Sequence, residues 1–305
     1  MTRRAASVAC LALLAALAAC NPRGGGHNST ATSAPASPEG RQQGNKFDAY
    51  TDGYNRLIGT FGLPETHKDW EEFKTRELRT SDSINYPESS ALVGNALKKL
   101  QEGRAVNAPD SQAADAAADQ LIKALGELQS IWSQQKPYFE SRGYRQDNFA
   151  KYREAQGQTD AAYGQALAAL KAMDSALKVQ QRKTQTAQLE SFRKAGNNAA
   201  VAATQLMLTA NEFMDAFDTD NYARADALAA QMTTEADTAR AEAAKLATTD
   251  RNASELKTMA DYLTTMVGKY RDFRQSKDPD HAKGVVEEFN NAVESSNDLD
   301  WKAAT

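Results

Sequence analysis

The chain has 305 residues, 36 basic and 40 acidic side chains, a formal net charge of −4, three histidines and two cysteines. Charges of both signs are interspersed and no basic stripe forms, so a nucleic-acid partner is not expected. Both cysteines, Cys10 and Cys20, lie in the first twenty residues; the rest of the chain therefore holds no disulfide, thiol nucleophile or thiolate ligand.

Residues 1–19 have the three parts of an export signal. Arg3 and Arg4 supply the positive start, Val8 to Leu17 is an apolar run too short to span a bilayer, and Ala18-Ala19 are the small residues before a cut. The residue after them is Cys20, so Leu17-Ala18-Ala19-Cys20 looks like a bacterial lipobox. Its cysteine is lipidated and becomes the first residue of the mature protein. Several acyl chains on one cysteine give a stable anchor, where one chain holds only marginally. The expected partner is thus a membrane, through lipid on Cys20. Residue 21 is Asn rather than Asp, which in a Gram-negative host points to the outer membrane, facing the periplasm. Cleavage removes Arg3 and Arg4 and leaves 34 basic against 40 acidic residues. Beyond the signal, no apolar run is long enough to span a membrane.

Residues 20–44 read as the lipidated cysteine and a disordered tether. Gly24-Gly25-Gly26 is followed by alternating Ser, Thr, Ala and Pro, which cannot bury enough apolar surface to fold. Such a coil typically spans roughly 25–30 Å.

From residue 45 to 305 the period is helical, and strict alternation and hairpin dipeptides are absent. Phe47, Tyr50, Tyr54, Leu57 and Phe61 form the first stripe, which Pro64 ends. A short helix follows around Trp70 and Phe73. Pro87 suits the first turn of a helix through Leu92, Ala96 and Leu100, and Pro109-Asp110 opens the next. That helix carries Ala114, Ala118, Leu121, Leu125, Leu128 and Trp132, and Lys136-Pro137 is expected to interrupt it. Leu189, Phe192, Gly196, Ala199, Ala203, Leu206, Ala210, Phe213 and Phe217 keep one phase through Gly196, which predicts a continuous helix from Asp160 to Phe217, about 85 Å long. Caps are expected at Asp220 or Asn221, at Thr249-Asp250 and at Asp278-Pro279. The last seam is Leu256, Met259, Leu263, Met266, Tyr270 and Phe273. The fold class is all-α: an elongated antiparallel helical bundle with Ala-rich seams, divisible into sub-bundles 45–195 and 196–298 that share a long helix.

Motifs for phosphate, dinucleotide, calcium or serine-hydrolase chemistry are absent, and no catalytic residue, cofactor or metal set is expected. His67 and Glu71 share a helical face and could make half a metal site, but the bare pair reads as a surface histidine beside a charged face. Glu71-Glu72, Glu287-Glu288 and Asp115/Asp119 read as solvated faces. The densest aromatic run is Trp132, Tyr138, Phe139, Tyr144, Phe149 and Tyr152, interleaved with Lys136, Arg142, Arg145 and Asp147. Two readings stand. Tyr138, Tyr144, Asp147 and Phe149 form a binding surface, or the aromatics fill a helix–helix corner made by Pro137 and Gly143.

Two segments carry a family resemblance. Asn45-Lys46-Phe47-Asp48-Ala49-Tyr50-Thr51-Asp52-Gly53-Tyr54-Asn55 resembles the start of the YiiG-like bacterial lipoproteins. The stretch Tyr138 to Ala150, with its core of Tyr144, Asp147 and Phe149, is similar to that family's middle; where its members carry a histidine shortly afterwards, this chain has Gln156. The resemblance covers roughly residues 45–289. It implies a helical domain in the envelope and brings no activity. The expected role is non-catalytic, a binding or structural interaction domain meeting an unidentified envelope protein or ligand. The alternative is a ligand-binding or enzymatic domain with an inter-helix pocket near 138–152.

Overall fold

The computed structural model describes residues 38–59 and 61–301. Cys20, the apolar segment before it and the first part of the expected tether lie outside the described residues. Among the described residues there is no strand, and the fold is an all-α helical bundle. Its helices are α1 (Pro38–Ile58), α2 (Leu63–Thr75), α3 (Ser90–Ala105), α4 (Gln112–Glu140), the one-turn α5 (Tyr144–Asp147), α6 (Ala150–Lys194), α7 (Asn198–Asp218), α8 (Tyr222–Ala243), α9 (Arg251–Ser276) and α10 (Pro279–Asn297). The first helix begins inside the segment read as tether, at Pro38 rather than after Gly44.

Two compact units divide the chain, Ala36–Val179 and Gln180–Thr305. The division falls within α6.

In the N-terminal unit, α1 packs most extensively on α3, and α3 in turn on α4. Phe47, Tyr50, Tyr54 and Leu57 of α1 are buried as their spacing predicts, whereas Phe61 is 77% exposed. The helix stops at Ile58, and the turn that follows, closed by the Gly62 N–H on the Gly59 carbonyl at 2.7 Å, takes Phe61 off the helical phase. Two glycines set the spacing of α1 and α3. A Cβ on Gly103 would lie 2.5 Å from the Tyr50 ring, and one on Gly53 would lie 2.9 Å from Leu100. Contact this close leaves no volume for a methyl group.

Several boundaries differ from the sequence reading. Pro87 precedes α3 by three residues; the N-cap is Ser89, and the Glu88 carboxylate accepts the Ser90 N–H at 2.6 Å. Helix α4 runs through Pro137 to Glu140. Only its last turn lies beyond the proline, so a single helical hydrogen bond is forfeited. The Ser141 N–H still reaches the Pro137 carbonyl at 2.9 Å.

The expected continuous helix from Asp160 to Phe217 is also broken, at Gly196. There φ is +69°, the Asn197 N–H returns to the Phe192 carbonyl at 3.0 Å, and the Asn197 side chain accepts the Ala200 N–H at 3.0 Å. This is a glycine-terminated helix end followed at once by an N-cap. Local backbone geometry overrides the unbroken heptad phase.

In the C-terminal unit, α7, α8, α9 and α10 pack in chain order, α7 on α8, α8 on α9 and α9 on α10. Short connections make chain neighbours antiparallel. Each starts on a side-chain cap: Asn221 for α8, Asp250 for α9 and Asp278 for α10. The core alternates small and large groups. Ala203, Ala210, Ala229, Ala236 and Ala239 let the helices approach closely, while Met207, Met232, Met259, Phe213 and Phe289 fill the space between them. Phe213 meets Tyr270 edge to face with ring centres 4.9 Å apart, and the Tyr270 hydroxyl donates to Asp226 at 2.7 Å.

Candidate functional site

The Tyr138–Tyr152 segment is a corner between α4 and α6. Tyr138, Phe139, Tyr144, Phe149 and Tyr152 are all buried, so their rings belong to the core of the N-terminal unit rather than to an exposed surface. The corner is built from local rules. Arg142 takes a left-handed φ of 57°, and the Gly143 N–H bonds the Tyr138 carbonyl at 2.9 Å, which ends α4. A Cβ on Gly143 would sit 2.8 Å from the Tyr138 ring, so glycine is required there. Asn148 and Phe149 are also left-handed, with φ of 47° and 63°. Such a conformation costs a β-carbon-bearing residue about 1–2 kcal/mol. It is held by stacking of Phe149 on Tyr144, centres 5.0 Å apart and planes 5° apart.

Asp147 ties the corner together. Its carboxylate accepts the Tyr138 hydroxyl at 2.6 Å and the Lys151 N–H at 3.1 Å, at the start of α6. The Tyr138 hydrogen bond, foremost, holds this carboxyl below the usual range. The Tyr144 hydroxyl donates to the Asp82 carbonyl at 2.7 Å. The four residues read as a candidate surface are thus brought together, but by contacts within the chain.

A second polar constellation was not legible as such. Lys46 is 1% exposed, and its Nζ donates to the Val106 carbonyl at 2.8 Å and to Asp115 at 2.9 Å. Asp115 also accepts the hydroxyls of Tyr50 and Ser111, and Arg104 lies 3.4 Å from it. Arg104 pairs in addition with Asp119, Nε to Oδ1 at 2.6 Å. Asp115 is therefore not a solvated face but the hub of a knot joining α1, the end of α3 and the start of α4. Burial pushes its carboxyl up, but the hydrogen bonds from Lys46, Tyr50 and Ser111 together outweigh burial and hold it below the usual carboxylate range. Burial first, then the Asp115 hydrogen bond, raises the Tyr50 phenol far above its ordinary value, so it stays a neutral donor. The available signal was Lys46 itself, a cation on the edge of the Phe47–Tyr50–Tyr54 stripe.

His67 lies 3.4 Å from Glu71, with its ring centre 5.1 Å from that of Tyr163. Glu71 also pairs with Lys74 at 2.7 Å. Among the described residues no group of three His, Cys, Asp or Glu side chains is placed to hold a metal ion. Lys74 and the Trp70 indole N–H both reach Asp160 at 2.7 Å, which closes α2 onto α6.

These features define a helical-bundle domain whose conspicuous polar and aromatic groups join its own helices. Residues 42–297 match the family described as "Protein of unknown function (DUF3829)", and the chain belongs to that family. No curated protein and no solved structure gives a significant match to it.

Proposed function

We propose that this protein is a lipid-anchored lipoprotein of the bacterial cell envelope, and that its helical body is a non-catalytic binding or structural interaction module. The observation that carries the reading is Cys20, which directly follows Leu17-Ala18-Ala19 at the end of an apolar run opened by Arg3 and Arg4. The resemblance of residues 45–55 and 138–150 to YiiG-like lipoproteins supports the same location, and Asn21 favours the outer membrane. No described helix is long and apolar enough to cross a membrane; lipid on Cys20 would supply attachment without one.

A non-catalytic role draws support from how the polar groups are used. Tyr138, Asp147, Lys46 and Asp115 all spend their hydrogen bonds within the chain. The alternative, a pocket near residues 138–152, has less behind it, because the rings there pack on one another.

Metabolic labelling with palmitate tests the anchor. Wild type should take up label and Cys20→Ser should not; equal labelling of the two would overturn the proposal. Crosslinking and pull-down from envelopes, with wild type and Cys20→Ser compared, then identifies the partner that the anchored form meets.

A further inference from the structure

In the C-terminal unit, the segment that follows α10 is seated on the bundle as an extended peptide. Helix α10 ends at Asn297, and the Asp298 N–H closes on the Glu294 carbonyl at 3.2 Å. Beyond it, Leu299 is 7% exposed and belongs to the same core as Leu256, Met259 and Ala243. Trp301 packs half-buried against that core. Between them, Asp300 is held by its main chain. Its N–H donates to the Asn252 side-chain oxygen at 2.8 Å, and its carbonyl accepts the Asn252 side-chain N–H at 2.9 Å. Asn252 stands in the first turn of α9, whose start is fixed by Asp250, its carboxylate accepting the Asn252 main-chain N–H at 2.9 Å. On the next residue of that turn toward the cap, Arg251 pairs with Asp298 at 3.0 Å.

The Asn252 amide carries the donor and acceptor of a peptide group, so it meets Asp300 as a neighbouring strand would. A contact of that kind reads a main chain and is indifferent to the side chain it carries. Specificity then comes from the flanking positions. An apolar side chain fills the place of Leu299, an aromatic one covers the place of Trp301, and Arg251 favours a carboxylate at the place of Asp298. The Arg251–Asp298 pair is exposed on both sides, so it adds little affinity but helps to set register. These contacts come from four residues outside any helix. The segment can therefore leave without breaking the hydrogen-bond ladder of α9.

We propose that the first turn of α9 and the apolar surface under residues 298–301 form a slot for an extended peptide segment of a partner protein, with the pattern acidic, apolar, any, aromatic. The chain's own Asp298-Leu299-Asp300-Trp301 fills the slot until the partner displaces it. The proposal rests on the reading of the helical body as a binding module and names the chemistry of its partner. Failure of the slot leaves that reading standing, since crosslinking from envelopes tests it without reference to residues 298–301.

Titration of the full chain with a fluorescent peptide of residues 297–303, read by anisotropy, tests this. Leu299→Asp puts a charge where an apolar group is buried and releases the segment from its seat. That variant should bind the peptide roughly ten- to a hundredfold more tightly than wild type, because apparent affinity scales with the fraction of slots that stand open. Adding Asn252→Ala to it should weaken binding about tenfold, through loss of both main-chain bonds. A peptide with Asp in place of its Leu should not bind. Equal binding by wild type and Leu299→Asp sinks the proposal. So does loss of helical circular dichroism in Leu299→Asp, because a segment that the fold cannot release is core rather than an occupant. Hydrogen exchange checks the wild type alone: the Asp300 amide should exchange more than about tenfold faster than those of central α9, and equal protection would overturn the proposal. A wild-type dimer that excess peptide splits would overturn it too, by assigning the slot to a second copy of this chain.

Discussion

Asp115 shows how much a single residue's environment can depart from its sequence neighbourhood. Removing one member of a buried ion pair leaves the other charge without compensation. Asp115→Asn should therefore destabilise the protein by about 2–4 kcal/mol, at the low end of the buried-pair range because the carboxylate keeps some solvent contact. Urea unfolding at neutral pH measures this. The pH dependence has a definite sign. Because the folded-state carboxyl is held below its unfolded value, its stabilisation is complete above about pH 4 and disappears as pH falls further. The wild type should lose stability below that point more steeply than Asp115→Asn does. Of this knot only Lys46 was hinted at in the sequence, by its place on the margin of an apolar stripe. Asp115 sits in a row of alanines, where an acidic residue looks like ordinary surface. What buries it is the end of α3 and the arrival of α1, which lies far from it in the chain. The aromatic corner was more legible, since Pro137 and Gly143 mark a turn and the aromatics have to go inside it.

At the scale of helices, the glycines separate propensity from packing. Gly103 and Gly126 both lie inside helices, where alanine is intrinsically better by about 1 kcal/mol. A Cβ on Gly126 meets nothing within 4 Å, so Gly126→Ala should stabilise by a few tenths to about 1 kcal/mol. The same change at Gly103 drives a methyl group into the Tyr50 ring and should destabilise by about 1–3 kcal/mol. Thermal unfolding of the two variants, side by side, gives opposite shifts. At Gly196 the backbone itself is the issue. Its φ of +69° makes alanine unfavourable, and Gly196→Ala should cost about 1 kcal/mol although its Cβ would touch nothing. The heptad phase across Gly196 was a true signal about which faces are buried, but a poor one about continuity. Ala199, Ala203, Leu206 and Phe213 are buried as that phase requires, and a tight break can preserve phase while ending the hydrogen-bond ladder.

For the whole molecule, two compact units with their own cores imply separable stability. Hydrogen exchange on Gly103→Ala should show faster exchange in α1, α3 and α4, with α7 to α10 close to wild type. Equal acceleration throughout would mean that the chain opens as one cooperative body. The sequence by itself determined the fold class, because 3.6-residue periodicity, capping residues and the absence of alternation are local properties that survive without tertiary context. Most helix identities, the caps at Asn221, Asp250 and Asp278, and the buried seams follow from it. Only the tertiary structure decided which polar residues are hubs and which distant helices they join. Those outcomes depend on residues such as Lys46 and Asp115, or Tyr54 and Asp174, that are far apart in sequence. Burial, and with it the cost of an unpaired charge or hydroxyl, exists only after the helices have packed.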